Sequence, residues 1–120
     1  MILGVGVDIC QNERVKLSLN GKILSAEEKA FFDSYKSDLR KLSYLCGRFA
    51  IKEALIKAFS QANINLYLSD FVVLNDDLNR PYLAKPIFND KKVHISISHE
   101  KDYTIGFALV ELIDTTNNKK

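Results

Sequence analysis

The stretch from residue 38 to 61, DLRKLSYLCGRFAIKEALIKAFSQ, constrains this chain more than any other. It reads as one long helix from Asp38 to Gln61. Leu42, Leu45, Cys46, Phe49, Ile51, Ala54, Leu55, Ala58 and Phe59 are spread around its circumference. A helix that is apolar on almost every side needs cover on almost every side, so it belongs at the centre of the fold. Two charges sit awkwardly on it. Glu53 and Lys57, spaced i,i+4, share a face with Cys46, Phe49 and Ala50, the face that reads as most buried. A charge held in such a place must be paired or bound to something. Gly47, inside the same helix, costs about 1 kcal/mol relative to alanine and points to close packing or a nearby ligand.

The remaining segments supply the cover. Residues Ile2 to Ile9 alternate as a strand, with Leu3, Val5, Val7 and Ile9 forming an apolar packed face and Ile2, Gly4, Gly6 and Asp8 a bare one. Glycine weakens a strand and marks close approach of another backbone or a ligand, so two glycines leading to a carboxylate serve something besides stability. Ser25-Ala-Glu-Glu28 has the capping-box pattern and opens a short helix through Phe31, Phe32 and Tyr35. Phe71 to Leu74 and Tyr82 to Lys85 read as a hairpin across Asn75 to Arg80, with Pro81 moving the second strand toward an edge. Val93 to Ser98 and Tyr103 to Leu112 form another, with His99-Glu-Lys-Asp102 between them. The polar tail from Asp114 to Lys120 reads as frayed. Strand, two helices, then four strands predicts an α+β fold, a single domain over residues 1–120 with the long central helix packed on an antiparallel sheet.

Several function classes drop out. A net charge of +2 is too small to mark a nucleic-acid binder. The apolar start MILGVGVD has neither a basic segment nor a cleavage site nor the length to cross a bilayer, so neither a signal peptide nor a membrane contact is expected. No GxSxG, HExxH or P-loop pattern occurs. Cys10 and Cys46 lack metal-ligand spacing and read as reduced thiols packing as small hydrophobes, which fits a cytoplasmic protein. At 120 residues the chain has little depth for an internal site, so a cleft completed by a second subunit is expected.

What remains is a set of charges. Glu53 and Lys57 taken alone are a helix-stabilising pair worth about 0.2–0.5 kcal/mol. With Arg48 upstream and Asp8 at the end of the glycine-bearing strand, they form a set suited to phosphate chemistry. Mg²⁺ is held by one or two carboxylates together with waters and substrate phosphates, and cations neutralise the charge on phosphate oxygens. His99 follows Ser96 and Ser98 where a strand runs into a turn, a place that holds functional groups or simply an exposed histidine. His94 reads as a solvent-side strand residue.

These residues resemble the bacterial holo-acyl-carrier-protein synthases, the small trimeric class of 4′-phosphopantetheinyl transferases. The likeness spans nearly the whole chain. It lies in Gly4-Val-Gly-Val-Asp8-Ile9 with Glu13-Arg14-Val15, in the helix Gly47-Arg48-Phe49-Ala50-Ile51-Lys52-Glu53-Ala54-Leu55-Ile56-Lys57-Ala58-Phe59, in Asn79-Arg80-Pro81-Tyr82, and in His94-Ile95-Ser96-Ile97-Ser98-His99. The resemblance implies the phosphopantetheinyl transferase-like fold and a Mg²⁺-dependent transfer of the phosphopantetheine arm. The arm would pass from coenzyme A to a serine of apo acyl carrier protein, releasing adenosine 3′,5′-bisphosphate, in support of fatty acid biosynthesis. It implies Asp8 and Glu53 as metal ligands and, with Lys57, as catalytic residues, Lys57 steadying the pyrophosphate. It places Arg48, Ser98 and His99 near the nucleotide and its 3′-phosphate, and implies a homotrimer with sites between subunits.

Two stretches depart from that family's pattern. Ser60-Gln-Ala-Asn-Ile-Asn65 lacks the glycines that usually follow the signature helix, and the segment after Arg14 is shorter and less basic, leaving Arg14 and Lys22 as partner-binding candidates. Two other readings use the same residues: a binding module for carrier protein or nucleotide without catalysis, and a Mg²⁺-dependent nucleotide phosphohydrolase.

Overall fold

The computed structural model describes residues 1–113; the tail expected to fray from Asp114 lies outside the described residues. Strand β1 (Ile2–Gln11) is followed by two 3₁₀ turns and the short helix α1 (Asn20–Ile23), then α2 (Ala26–Ser34) and α3 (Asp38–Gln61). The chain continues through β2 (Val72–Asn75), β3 (Pro81–Lys85), β4 (Lys91–His99) and β5 (Tyr103–Leu112). The α+β expectation holds, with the antiparallel strands divided between two sheets. One has the order β1-β5-β4 and the other is the β2-β3 hairpin. No helix among the described residues is long and apolar enough to cross a membrane.

Helix α3 has the predicted bounds because both ends are chemically marked. The Ser37 hydroxyl accepts from Arg40 N–H at 3.0 Å and caps the start. At the far end, where glycines were missed in the sequence, Asn63 takes the left-handed conformation (φ 61°), and Ile64 N–H returns to Phe59 O at 3.0 Å. Asparagine is the residue next best to glycine for this closure. Between the ends, Leu45, Ile51, Leu55 and Phe59 are completely buried, each worth about 1.5–3 kcal/mol relative to exposure.

The expected orientation of β1 is reversed. The face carrying Gly4 and Gly6 meets α3, while Val5, Val7 and Ile9 are left exposed. The reason is backbone contact. A Cβ at Gly4 would lie 1.9 Å from Ala58 O, and one at Gly6 would lie 1.9 Å from Ala54 O. On β5, a Cβ at Gly106 would lie 2.6 Å from the Ala50 carbonyl. Three glycines on the sheet thus face three alanines at i, i+4 and i+8 on the helix, and the helix rests on the strands with no side-chain layer between. The opposite face of the sheet, with Val7 56% and Ile9 62% exposed beside Ile105 and Phe107, stays open.

A second correction concerns charge. Lys57 is half exposed and Glu53 only partly buried, whereas Lys52, given no role above, has no exposed surface. Its Nζ donates to Glu28 Oε1 at 2.6 Å and to Ile23 O at 2.7 Å. Glu28 completes the predicted capping box with Ser25 and also accepts from Val73 N–H at 2.8 Å. Cys10 and Cys46 are free, buried and adjacent; burial raises both thiols, Cys46 to about 12, which leaves them unreactive.

Candidate active site beside the glycine strand

Because the glycines let α3 lie directly on β1, side chains from the last turns of the helix reach over the free edge of that strand. Gln61 Oε1 accepts from Val5 N–H at 2.9 Å. Lys57 Nζ donates to Val7 O at 3.0 Å and to Asp8 Oδ1 at 3.2 Å. Asp8 is on the helix-facing side of β1, opposite Gly106 on β5, where the helix backbone lies directly on the sheet. Glu53 lies one turn before Lys57. Its carboxyl is held above the usual range, by burial first and by the Asp8 charge second, with Lys57 opposing.

The fold therefore brings Asp8, Glu53 and Lys57 together. A carboxyl whose ionisation is opposed by burial and by a neighbouring acid suits a divalent cation, whose charge relieves that cost. Among the described residues no group of three or more His, Cys, Asp and Glu gathers in one place. Two carboxylates as ligands would leave the remaining positions to water and substrate oxygen, the coordination Mg²⁺ prefers over an all-protein cage.

Arg48 and His99 meet elsewhere. The Arg48 guanidinium is buried, donating from Nε to Val73 O and from Nη2 to Asn75 Oδ1, each at 3.1 Å, and stacked 4.4 Å from the Tyr44 ring centroid. His99 packs on Gly47, where a Cβ would stand 3.1 Å from the imidazole, and its Nδ1 lies 3.4 Å from Ser43 Oγ. Gly47 is thus explained by close packing. These groups line a cavity of about 220 Å³ with Arg40, Asn79 and Tyr35. No carboxylate lines it. The Tyr44 hydroxyl, buried and without a partner among the described residues, is pushed up to about 12 by burial and stays a donor. Burial and then Arg48 lower His99. A small cavity walled by two guanidiniums, a hydroxyl donor and amides is built for an anion. Ser98 stands apart, exposed on β4 opposite Ile105.

Nine residues, about two and a half turns, separate Arg48 from Lys57, so the anion cavity faces β2 while the acidic cluster faces β1. Arg14 and Lys22 line a third feature, a cavity of about 550 Å³ whose walls include Val15, Leu19, Ile23, Phe49 and Tyr103. Sequence reasoning missed Tyr44, Arg40, Gln61 and the Glu28–Lys52 pair. Only Lys52 carried a signal: it shares a heptad-spaced stripe with Leu45, Leu55 and Phe59, all fully buried.

Comparison with known proteins gives the family. The profile of the 4′-phosphopantetheinyl transferase superfamily matches residues 4–108. Holo-[acyl-carrier-protein] synthase of Acholeplasma laidlawii is 39% identical over 115 residues, covering 92% of this chain and 98% of that protein. Among solved structures, a Bacillus anthracis holo-(acyl-carrier-protein) synthase in complex with CoA (3′,5′-ADP) superposes with a TM-score of 0.80 at 31% identity, over 93% of this chain and 98% of that one. The Helicobacter pylori holo-[acyl-carrier-protein] synthase in complex with coenzyme A gives 0.70 at 28%, over 89% and 99%. With family profile, relatives and fold in accord, the chain belongs to an enzyme family, the 4′-phosphopantetheinyl transferase superfamily.

Proposed function

We propose that this chain is a holo-[acyl-carrier-protein] synthase, moving the 4′-phosphopantetheine group of coenzyme A onto a serine of an apo acyl carrier protein with Mg²⁺ as cofactor. The observation that carries the reading is the meeting of Asp8, Glu53 and Lys57 at the edge of β1, with Lys57 3.2 Å from Asp8 and Glu53 raised by its acidic neighbour.

Asp8 and Glu53 would hold the cation, which when bound neutralises charge on the pyrophosphate oxygens. Lys57, half exposed, has a third ammonium proton beyond the two it gives to Val7 and Asp8, and so can grip the pyrophosphate. The serine oxygen attacks the phosphorus nearer the pantetheine. The bridging P–O bond breaks, the serine proton passes to a water or to one of the carboxylates, and adenosine 3′,5′-bisphosphate departs with the bond's electron pair. Arg48 and His99, with Tyr44 and Arg40, would take the 3′-phosphate in a cavity that offers donors and no carboxylate. Arg14 and Lys22, on the wall of the apolar cavity, would meet an acidic carrier protein.

A homotrimer with sites between neighbouring copies is the assembly we favour. It is supported by the open face of Val7, Ile9, Ile105 and Phe107, and by the placing of anion cavity and acidic cluster on opposite sides of α3. Light scattering on wild type and on a Val7→Glu variant tests it: a trimer for the first and a smaller species for the second is expected, and a monomeric wild type overturns it. Two free, unreactive thiols fit a reducing cytoplasm. The catalytic reading is tested by incubating the protein with coenzyme A, Mg²⁺ and an apo acyl carrier protein. A mass gain on the carrier serine is expected. Bound coenzyme without product selects a non-catalytic module, and product without any carrier protein selects a phosphohydrolase.

A further inference from the structure

The buried pair Glu28–Lys52 touches neither the acidic cluster nor the anion cavity, yet it connects to the latter through the main chain of one residue. Val73 is the link. Its N–H donates to Glu28 Oε2 at 2.8 Å and its C=O accepts from Arg48 Nε at 3.1 Å. The pairing of β2 with β3 shifts register between Val72 and Val73. A donor from α3 and an acceptor from α2 thus stand where a neighbouring strand would satisfy both groups of Val73.

The other contacts fix Glu28 in turn. Its Oε1 accepts from Lys52 Nζ at 2.6 Å and from Ser25 N–H at 2.7 Å, so both carboxylate oxygens are spoken for and the side chain has one position. Lys52 is anchored a second time on Ile23 O. Arg48 has fewer holds of its own. Besides Val73 it has the Asn75 amide and the Tyr44 ring, and Asn75 ends the same strand, two residues after Val73.

We propose that Glu28 and Lys52 are positioning residues for the anion cavity: by clamping the main chain at Val73 they set the aim of the Arg48 guanidinium. The proposal rests on the reading of that cavity as the seat of the 3′-phosphate. The aim matters because a guanidinium recognises phosphate through a planar fork, whose worth depends on angle as well as charge.

The test is the Glu28→Gln variant, in which an amide NH₂ must replace one acceptor. The KM for coenzyme A should rise about tenfold, the worth of one hydrogen bond to a charged group, with kcat within about twofold of wild type. In an Arg48→Ala background, Glu28→Gln should leave the KM unchanged. A purely structural role would lower the melting temperature and the folded fraction while leaving the KM of the folded enzyme where it was. That outcome overturns the proposal. If Glu28→Gln does not fold, Glu28→Leu/Lys52→Met removes both charges together and takes its place, with the same rise in KM expected and an unchanged KM again overturning it.

A readout without turnover separates this idea from the catalytic one. In NMR spectra of the unliganded protein the Arg48 Nε–H should be protected from solvent exchange, and in the Glu28 variant it should exchange at least about tenfold faster. If the wild type transfers nothing to a carrier protein yet shows this loss of protection, the assigned reaction fails and the clamp stands. Unchanged protection in a folded variant removes the clamp whatever the enzyme does.

Discussion

Lys52 and Lys57 stand five residues apart on one helix, each against a carboxylate, and their surroundings could hardly differ more. Lys52 is sealed with Glu28 under the α2 cap, where a main-chain carbonyl and two N–H groups complete the pair's hydrogen bonding. Lys57 lies over the edge of a strand, half exposed, with Asp8 beside it and Glu53 held above the usual carboxyl range nearby. A closed charge pair has nothing left to offer a ligand; an open one with surplus negative charge does. Burial alone would point to Lys52 as the functional lysine, whereas openness and a second carboxyl nearby point to Lys57, the lysine proposed for the site.

The comparison breaks first at the sealed pair. Lys52→Met strands the Glu28 carboxylate in the core, so chemical denaturation should show a loss of about 3–5 kcal/mol. A loss under about 1 kcal/mol would mean that water reaches Glu28 and that the two regions are alike. A smaller effect belongs to His99 on the open side. Burial and Arg48 disfavour the imidazolium there, so its pKa in the folded protein lies below the unfolded value of about 6.5. The folded state binds this proton less well than the unfolded chain. The stability it contributes is therefore present above about pH 6.5 and lost as pH falls through the lowered folded pKa. Comparing His99→Gln with wild type by denaturation at neutral and mildly acid pH should show wild type losing more on acidification. The smallest change is expected from Lys57→Met. An ion pair this exposed is worth under about 1 kcal/mol, so melting should hardly move while turnover falls, and a large loss of stability would make Lys57 a second structural lysine.

How much of this was legible before folding varies by residue. The span of α3 was readable because a continuous apolar circumference marks it, and the capping box of Ser25 and Glu28 has the form its spacing predicts. The faces of β1 were separable but their destinations were not. A period of two says that Gly6 and Val7 point opposite ways, and nothing in it says that a helix backbone will choose the glycine side. Asp8, Glu53 and Lys57 could be named together from charge type, but their contact depends on that choice. The anion cavity draws on residues 35–48, 75–79 and 99, three stretches that only the fold brings together, so Tyr44 and Arg40 had no local signature. Lys52 did, on its stripe with Leu45, Leu55 and Phe59, and the stronger pull of the Glu53–Lys57 spacing hid it.

The claim on which the account turns is that the acidic pair at the strand edge works because it is open. Glu53→Gln tests it directly, since the amide keeps the shape, removes the charge, and at neutral pH lifts the cost of ionising a group whose pKa is raised in the fold. With coenzyme A, Mg²⁺ and an apo acyl carrier protein, the variant should modify the carrier serine about 10²–10³-fold more slowly than wild type, the size of effect seen when one preorganised electrostatic contact is removed. Its melting temperature should be no lower. Equal rates of mass gain for the two proteins would contradict the account.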